Sequence, residues 1–302
     1  MTQYLYLVGF APLLPMLPLV VALWLRERWN YREIKRLQRR HPLTQGLLRP
    51  PGYTLGQEVA RLQIDGAYLL FEVVIFGVGI LVIGLVALAT LGLSFGVSLV
   101  VSLIALGAYS LYQTVRWLRL LGELRRKRLG WEGELATGEE LNHLMRRGYA
   151  VFHDLEGEKF NIDHVAVGPG GVYAIETKAR MKQRREGVED MWRATYNGEQ
   201  IDFAGYSTDA PIEQARRNAA WLSKWLASAV GERVTTKAVV ALPGWYVTRT
   251  GKSDVNVVSA REVEGMVPKT PSAPLTEKLI QQIAHQLDAR CRDVAKNRTP
   301  LR

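Results

Sequence analysis

The sequence predicts an α/β domain, a mixed sheet flanked by helices, preceded by an α-helical transmembrane region of three spans. Three observations predict it. Residues 4–25 and 73–115 carry no Asp, Glu, Lys or Arg. Residues 161–178 set β-branched and aromatic residues on either side of a Gly-Pro-Gly-Gly turn. Around that hairpin, amphipathic helical stretches alternate with short apolar runs.

The first span is read over residues 4–25, enough for the roughly 20 residues that cross a bilayer. Pro12, Pro15 and Pro18 interrupt it, which a membrane helix tolerates where neighbours or local distortion satisfy the freed carbonyls. A cleaved signal peptide fits less well, because no basic region precedes the apolar stretch and no small-x-small site follows. Residues 26–67 read as a basic loop with Arg26, Arg28, Arg32, Lys35, Arg36 and Arg39. As one helix, residues 73–115 would reach about 65 Å at about 1.5 Å per residue, twice the hydrocarbon thickness. They therefore form two spans, about 70–91 and 94–115, turning at Leu91-Gly92-Leu93-Ser94. One charge at a span centre costs about 2.5–3.5 kcal/mol on insertion scales, so the absence of charge carries weight.

Residues 117–130 follow as a basic juxtamembrane linker. The N-terminal tail and the 91–94 turn hold no basic residue, whereas 26–67 and 116–128 are rich in arginine. Positive segments stay inside. The N-terminus is therefore expected outside a cell inner membrane, and the C-terminal domain in the cytoplasm.

That domain is expected over 131–268, with a C-terminal helix and tail at 269–302. Leu135, Leu141, Leu144 and Met145 give a helical stripe ending near Gly148. A strand starts at Tyr149–Phe152. Val165, Val167, Val172, Tyr173 and Ile175 mark two strands joined at Gly168–Gly171. Pro211 opens an amphipathic helix with Trp221, Leu222, Trp225 and Leu226 on one face. Strands follow at Lys237–Trp245 and Val255–Val258, and a last amphipathic helix runs from about Thr276 to Val294 before a polar tail.

Chemistry concentrates in the hairpin. Asp163 opens its first strand, and Glu176 and Lys178 close its second. Residues two apart on a strand share a face, so Glu176 and Lys178 project together, and folding at the glycines returns Asp163 beside them. Two carboxylates and an ammonium at one point suit a divalent metal and an activated water. An E-x-K spacing alone means little, since Glu33-Ile34-Lys35 has it too. The alternative is a salt-bridged strand end.

The order helix, three strands, helix, strand is that of the PD-(D/E)xK nuclease core. The segment from about Gly130 to Val263 resembles the NERD, or nuclease-related, domain. The matching pieces are G-x-x-G-E at Gly130–Glu134, the Ile162–Lys178 block, Gln214 heading a helix, and Leu-Pro-Gly-Trp at 242–245. Two features depart from the family pattern: a longer, more basic connection after Lys178, and Ala210-Pro211 before the glutamine helix.

The resemblance implies a restriction-endonuclease-like mixed sheet and a set of roles. Asp163, Glu176 and the Thr177 backbone carbonyl would ligate Mg²⁺ or Mn²⁺. Lys178 would position the water and offset charge on the phosphate. Glu134 would be an outer or second-metal carboxylate, and Gln214 would hydrogen-bond near the site or to the nucleic-acid backbone. His164 should point to the opposite face. Arg180, Lys182, Arg184, Arg185, Arg216 and Arg217 are candidate phosphate contacts.

A net charge of +10 and a pI near 9.7 suit nucleic acid or anionic lipid headgroups. The single cysteine, Cys291, excludes an intrachain disulfide framework. The five histidines show no zinc spacing, and no P-loop, Rossmann fingerprint or G-x-S-x-G is present. The expectation is a membrane-anchored, metal-dependent nuclease acting on nucleic acid, DNA ahead of RNA, at the cytoplasmic face. The alternative is a non-catalytic nucleic-acid-binding or membrane scaffold module, accessory to plasmid transfer or phage defence. Oligomeric state is not legible.

Overall fold

A computed structural model describes residues 22, 24–26, 28–29, 46–92, 94–182, 192–203, 205–269 and 273–292. Most of the expected first span, most of the basic loop at 26–45, Arg184, Arg185 and the polar tail lie outside the described residues. The chain divides into two compact units, one built on residues 60–125 and the other on residues 44–59 with 126–299.

The first unit is a helical pair. Helix α1 spans Tyr53–Thr90 and helix α2 spans Phe95–Leu141, each with its outer end in the second unit. Both are long and apolar enough to cross a membrane, and only 11% of the most apolar stretch of each is buried. The core helix of a water-soluble protein would hide that surface. The turn comes at Leu91-Gly92, where Gly92 adopts φ +80°, in the segment where the sequence predicts it. Polar groups join the two helices: Tyr109 Oη donates to the Glu72 carbonyl at 3.1 Å, and Arg116 pairs with Glu72 at 3.1 Å.

Two segments differ from expectation. Residues 53–67, read as loop, belong to α1, and residues 117–130, read as linker, belong to α2. Their Leu, Arg, Lys and Glu residues are good helix formers with no proline among them, and Arg128–Glu132 adds an i,i+4 pair at 2.9 Å.

The second unit is a mixed α/β domain. Strands β1 (Ala150–Glu156), β2 (Asn161–Gly168) and β3 (Gly171–Thr177) run antiparallel in sequence. Helix α3 (Ala210–Val230) then leads to β7 (Thr236–Leu242), parallel to β3, and β9 (Asn256–Ser259) lies parallel to β7. The sheet order is β1-β2-β3-β7-β9. The sequence reading did not anticipate a second, smaller sheet, β6-β5-β4-β8. It comprises β4 (Arg193–Tyr196), β5 (Ile201–Asp202), β6 (Ser207–Thr208) and β8 (Tyr246–Arg249). Strands of two to four residues give too few alternations to read from a sequence.

Period-two alternation splits the core. Val165, Val167, Val172 and Ala174 face α3, whose Ile212, Ala215, Leu222 and Leu226 are buried against them. Ala166, Tyr173 and Ile175 face the other way, onto Leu141 at the end of α2, Leu144 in the 3-10 turn that follows it, and Val263 and Val267 of α4 (Val263–Lys269). Helix α5 (Glu277–Cys291) is capped by Thr276, whose side chain accepts from Leu279 N at 3.3 Å. It buries Leu279, Ile283 and Leu287 in the first core. Arg290 lies over Trp221 and Trp225 at 5.4 and 4.9 Å.

Candidate metal centre

The β2–β3 ladder pairs His164 with Ile175, so one step further Asp163 stands opposite Glu176. Asp163 Oδ2 accepts from Thr177 N at 2.7 Å. Asp163 and Glu176 lie on the face that carries Val165 and Ala174, toward α3. From α3, Asn218 Nδ2 donates to Glu176 Oε2 at 3.0 Å. Lys178 directly follows β3, and its amide donates to the Ala241 carbonyl at 2.9 Å, which ties the strand end to β7.

Glu134 reaches the site from α2, and Gly133 is what lets it. A Cβ on Gly133 would stand 2.6 Å from the Cβ of Ala179, so only glycine allows the helix this close to the residue after Lys178. The second glycine of G-x-x-G-E is therefore a packing contact that delivers the glutamate behind it. Glu134, Asp163 and Glu176 are 5%, 6% and 4% exposed.

Burying three carboxylates together disfavours their ionised forms. Glu134 is pushed up to about 9, first by burial and then by the charges of Asp163 and Asp154, with Lys178 acting in the opposite sense. Asp163 is pushed up to about 7 by burial, opposed by its bond from Thr177 and by Lys178. Glu176 is held well above the usual carboxylate range by burial and by Asp163, again with Lys178 opposing. Crowded, water-poor carboxylate oxygens beside one ammonium fit a hard divalent cation, which would relieve the repulsion that burial leaves. Among the described residues no group of three His, Cys, Asp or Glu side chains is gathered to hold a metal. The candidate set is two carboxylates plus backbone oxygen and water.

Asp154 was missed by the sequence reading, although a charged residue inside Val151-Phe152-His153-Asp154-Leu155 is a visible signal. It is fully buried, with φ +53°, a conformation that Asp tolerates better than most residues. Its Oδ2 accepts from both the N–H and the hydroxyl of Thr54 at 2.6 Å, and Asn161 donates to its Oδ1 at 2.5 Å. Asp154 thus caps the start of α1 while adding negative charge near Glu134 and Asp163. Asn218 was also missed. It lies one helical turn beyond Gln214, on the same stripe of α3, and it makes the contact to Glu176.

His164 points to the opposite face. Its Nε2 lies 3.1 Å from Thr177 Oγ1 and its Nδ1 2.9 Å from His153 Nδ1. Burial lowers both rings, His153 to about 4, so the pair is neutral and shares a hydrogen bond beneath the sheet.

The basic candidates separate. Arg180 lies over the Phe203 and Tyr206 rings at 5.6 and 4.9 Å, and Lys182 over Trp245 at 5.9 Å. Arg216 is held by Asp254 at 2.7 Å and by Glu213 at 2.5 Å, so its guanidinium is engaged in carboxylate contacts. Arg217 is exposed on the same helix.

Residues 129–243 match the family model of the nuclease-related domain, NERD. No curated protein and no solved structure matches the chain.

Proposed function

We propose, with the nuclease-related domain at residues 129–243 as premise, that this chain is a membrane-anchored, metal-dependent nuclease. One observation carries the reading: Asp163 and Glu176 stand across from each other on β2 and β3, and both are buried with Glu134 close enough to interact with each of them. A salt-bridged strand end would pair its carboxylates with basic side chains, whereas Asp163 is bound by the Thr177 amide and Glu176 by Asn218. Asp163 and Glu176, with the Thr177 carbonyl, would hold Mg²⁺ or Mn²⁺. The ion would supply Lewis-acid stabilisation of a phosphodiester and a water of lowered pKa. Lys178 would position the water and offset the negative charge that the phosphate gains. Asn218 donates to Glu176 and would hold its rotamer, and Gln214, one turn earlier on α3, would hydrogen-bond near the site or to the nucleic-acid backbone. Glu134 closes the side of the site toward α2.

The two apolar helices hold the domain at a membrane. The arginine distribution supports a domain on the cytoplasmic side of an inner membrane, and the substrate read for it is nucleic acid, DNA ahead of RNA. A nucleic-acid-binding module without turnover is the second reading, favoured by the absence of a three-side-chain metal cluster among the described residues. The deciding experiment incubates the full-length chain, in detergent, with labelled DNA and RNA. Product is expected with Mg²⁺ or Mn²⁺ and not with chelator. Salt-sensitive binding without product under any of these metals would favour the second reading.

A further inference from the structure

The residues that follow Lys178 do not enter the carboxylate cluster. They run along a patch of rings and cations on the smaller sheet. Arg180 sits between Phe203 and Tyr206, at 5.6 and 4.9 Å from their centroids, on the turn joining β5 to β6. Phe203 meets Trp245 edge-on at 5.0 Å, and Lys182 lies over Trp245 at 5.9 Å. On the exposed face of β4 and β8, Arg193 pairs in register with Tyr246. Its guanidinium lies 5.0 Å from Trp192 and 5.2 Å from Tyr246, whose rings are 5.6 Å apart.

Phe203 and Trp245 are buried and form the floor. Tyr206, Tyr246 and Trp192 are 52%, 52% and 43% exposed. Single exposed rings are ordinary. Here each exposed ring has a cation against it, and the chain that carries two of the cations leaves directly from Lys178.

We propose that this patch is a stacking platform for an unpaired polynucleotide strand, making single-stranded or single-stranded-ended nucleic acid the substrate class of the site. The proposal rests on the nuclease reading. Exposed ring faces can be used only by bases whose own faces are free, and a duplex offers base edges and phosphates instead. Cations beside the rings neutralise the phosphates between stacked bases, the pairing by which single-strand binders grip without reading sequence. Arg216 is tied to Asp254 and Glu213 and lies outside this patch.

The test uses the full-length chain in detergent with chelator present, so that binding is read without cleavage. Fluorescence anisotropy is measured with a labelled 20-mer oligothymidylate, the matching oligouridylate, and a duplex of equal length. Wild type is expected to bind a single strand more tightly than the duplex, and either sugar supports the assignment. Tyr206→Ala and Tyr246→Ala should each weaken single-strand binding on the order of ten-fold and leave duplex binding alone. Tyr206→Phe and Tyr246→Phe, which keep the ring, should bind as wild type. Alanine variants that bind single strands normally, or lose single strand and duplex equally, overturn the platform, as does a wild type that prefers duplex or binds neither. Cleavage with Mg²⁺ is scored in parallel. Ring-dependent binding without cleavage would sink the nuclease reading and leave the platform standing, and cleavage with ring-independent binding would do the reverse.

Discussion

Asp163 and Glu176 are both buried acids, held by different partners. Asp163 is braced by the Thr177 amide and Glu176 by Asn218. Asp163→Ala and Glu176→Ala should each abolish most Mg²⁺-dependent cleavage, on the order of a hundred-fold or more, with the fold retained. Asn218→Ala should cost about ten-fold, the scale seen when a group that orients a metal ligand is lost. Circular dichroism and single-turnover rates check this, and wild-type cleavage by Asp163→Ala would remove the assigned site. Glu134 gives a second prediction. Its carboxyl is raised from 4.5 to about 9, first by burial, so the metal-free fold keeps a proton that the unfolded chain releases. The stability from that proton is complete below 4.5 and disappears as pH rises through about 9. The metal-free melting temperature should therefore fall over that interval. Glu134→Gln should flatten the fall, and Mg²⁺, binding only the native state, should raise the curve. An unchanged slope in Glu134→Gln would place the titration elsewhere.

At the scale of elements, the α/β domain depends on two attachments. Asp154 satisfies an orphan amide at the start of α1 through Thr54, and removing such a cap costs about 0.5–2 kcal/mol. Asp154→Ala should cost at least that, because Asn161, which donates to the same carboxylate, loses its partner as well. Leu287 on α5 is fully buried among the first core, so Leu287→Ala should destabilise the domain by about 2–5 kcal/mol. Arg290→Ala, which loses the contact over Trp221 and Trp225 and the bond from its Nε to the Glu156 carbonyl at 3.0 Å, should cost about 1–2 kcal/mol. Denaturant melts of the full-length chain read all three. A Leu287→Ala loss no larger than that of Arg290→Ala would mean that α5 is held from outside rather than through the core.

For the whole molecule, the testable feature is topology. A reporter fused after Arg302 should read as cytoplasmic, and one inserted after Gly92 as external, because arginine crowds the segments flanking the helical pair and is missing from its turn. A C-terminus open to protease on intact cells would reverse the assignment. Both ends of the helical pair, α1 from Tyr53 and α2 to Leu141, continue as helix into residues of the α/β unit.

The residues alone determined the β2–β3 hairpin, with Asp163 brought opposite Glu176, and the paired apolar helices. Each follows from a local rule: strand alternation, positive-φ glycines in a turn, and an uncharged run too long for one span. The order of helices and strands around them was legible in part for the same reason, since α3 and β7 repeat their periods often enough to be read, while the four-residue β9 showed only as the largely apolar run Val255–Val258. What only the tertiary structure decided was everything set by contacts between distant segments. Asp154 holding Thr54, Asn218 reaching Glu176, Gly133 seated on Ala179, and the smaller sheet with its rings and cations all join residues far apart in the chain. No spacing within one segment encodes which distant backbone will approach it, because that choice belongs to packing of the whole core.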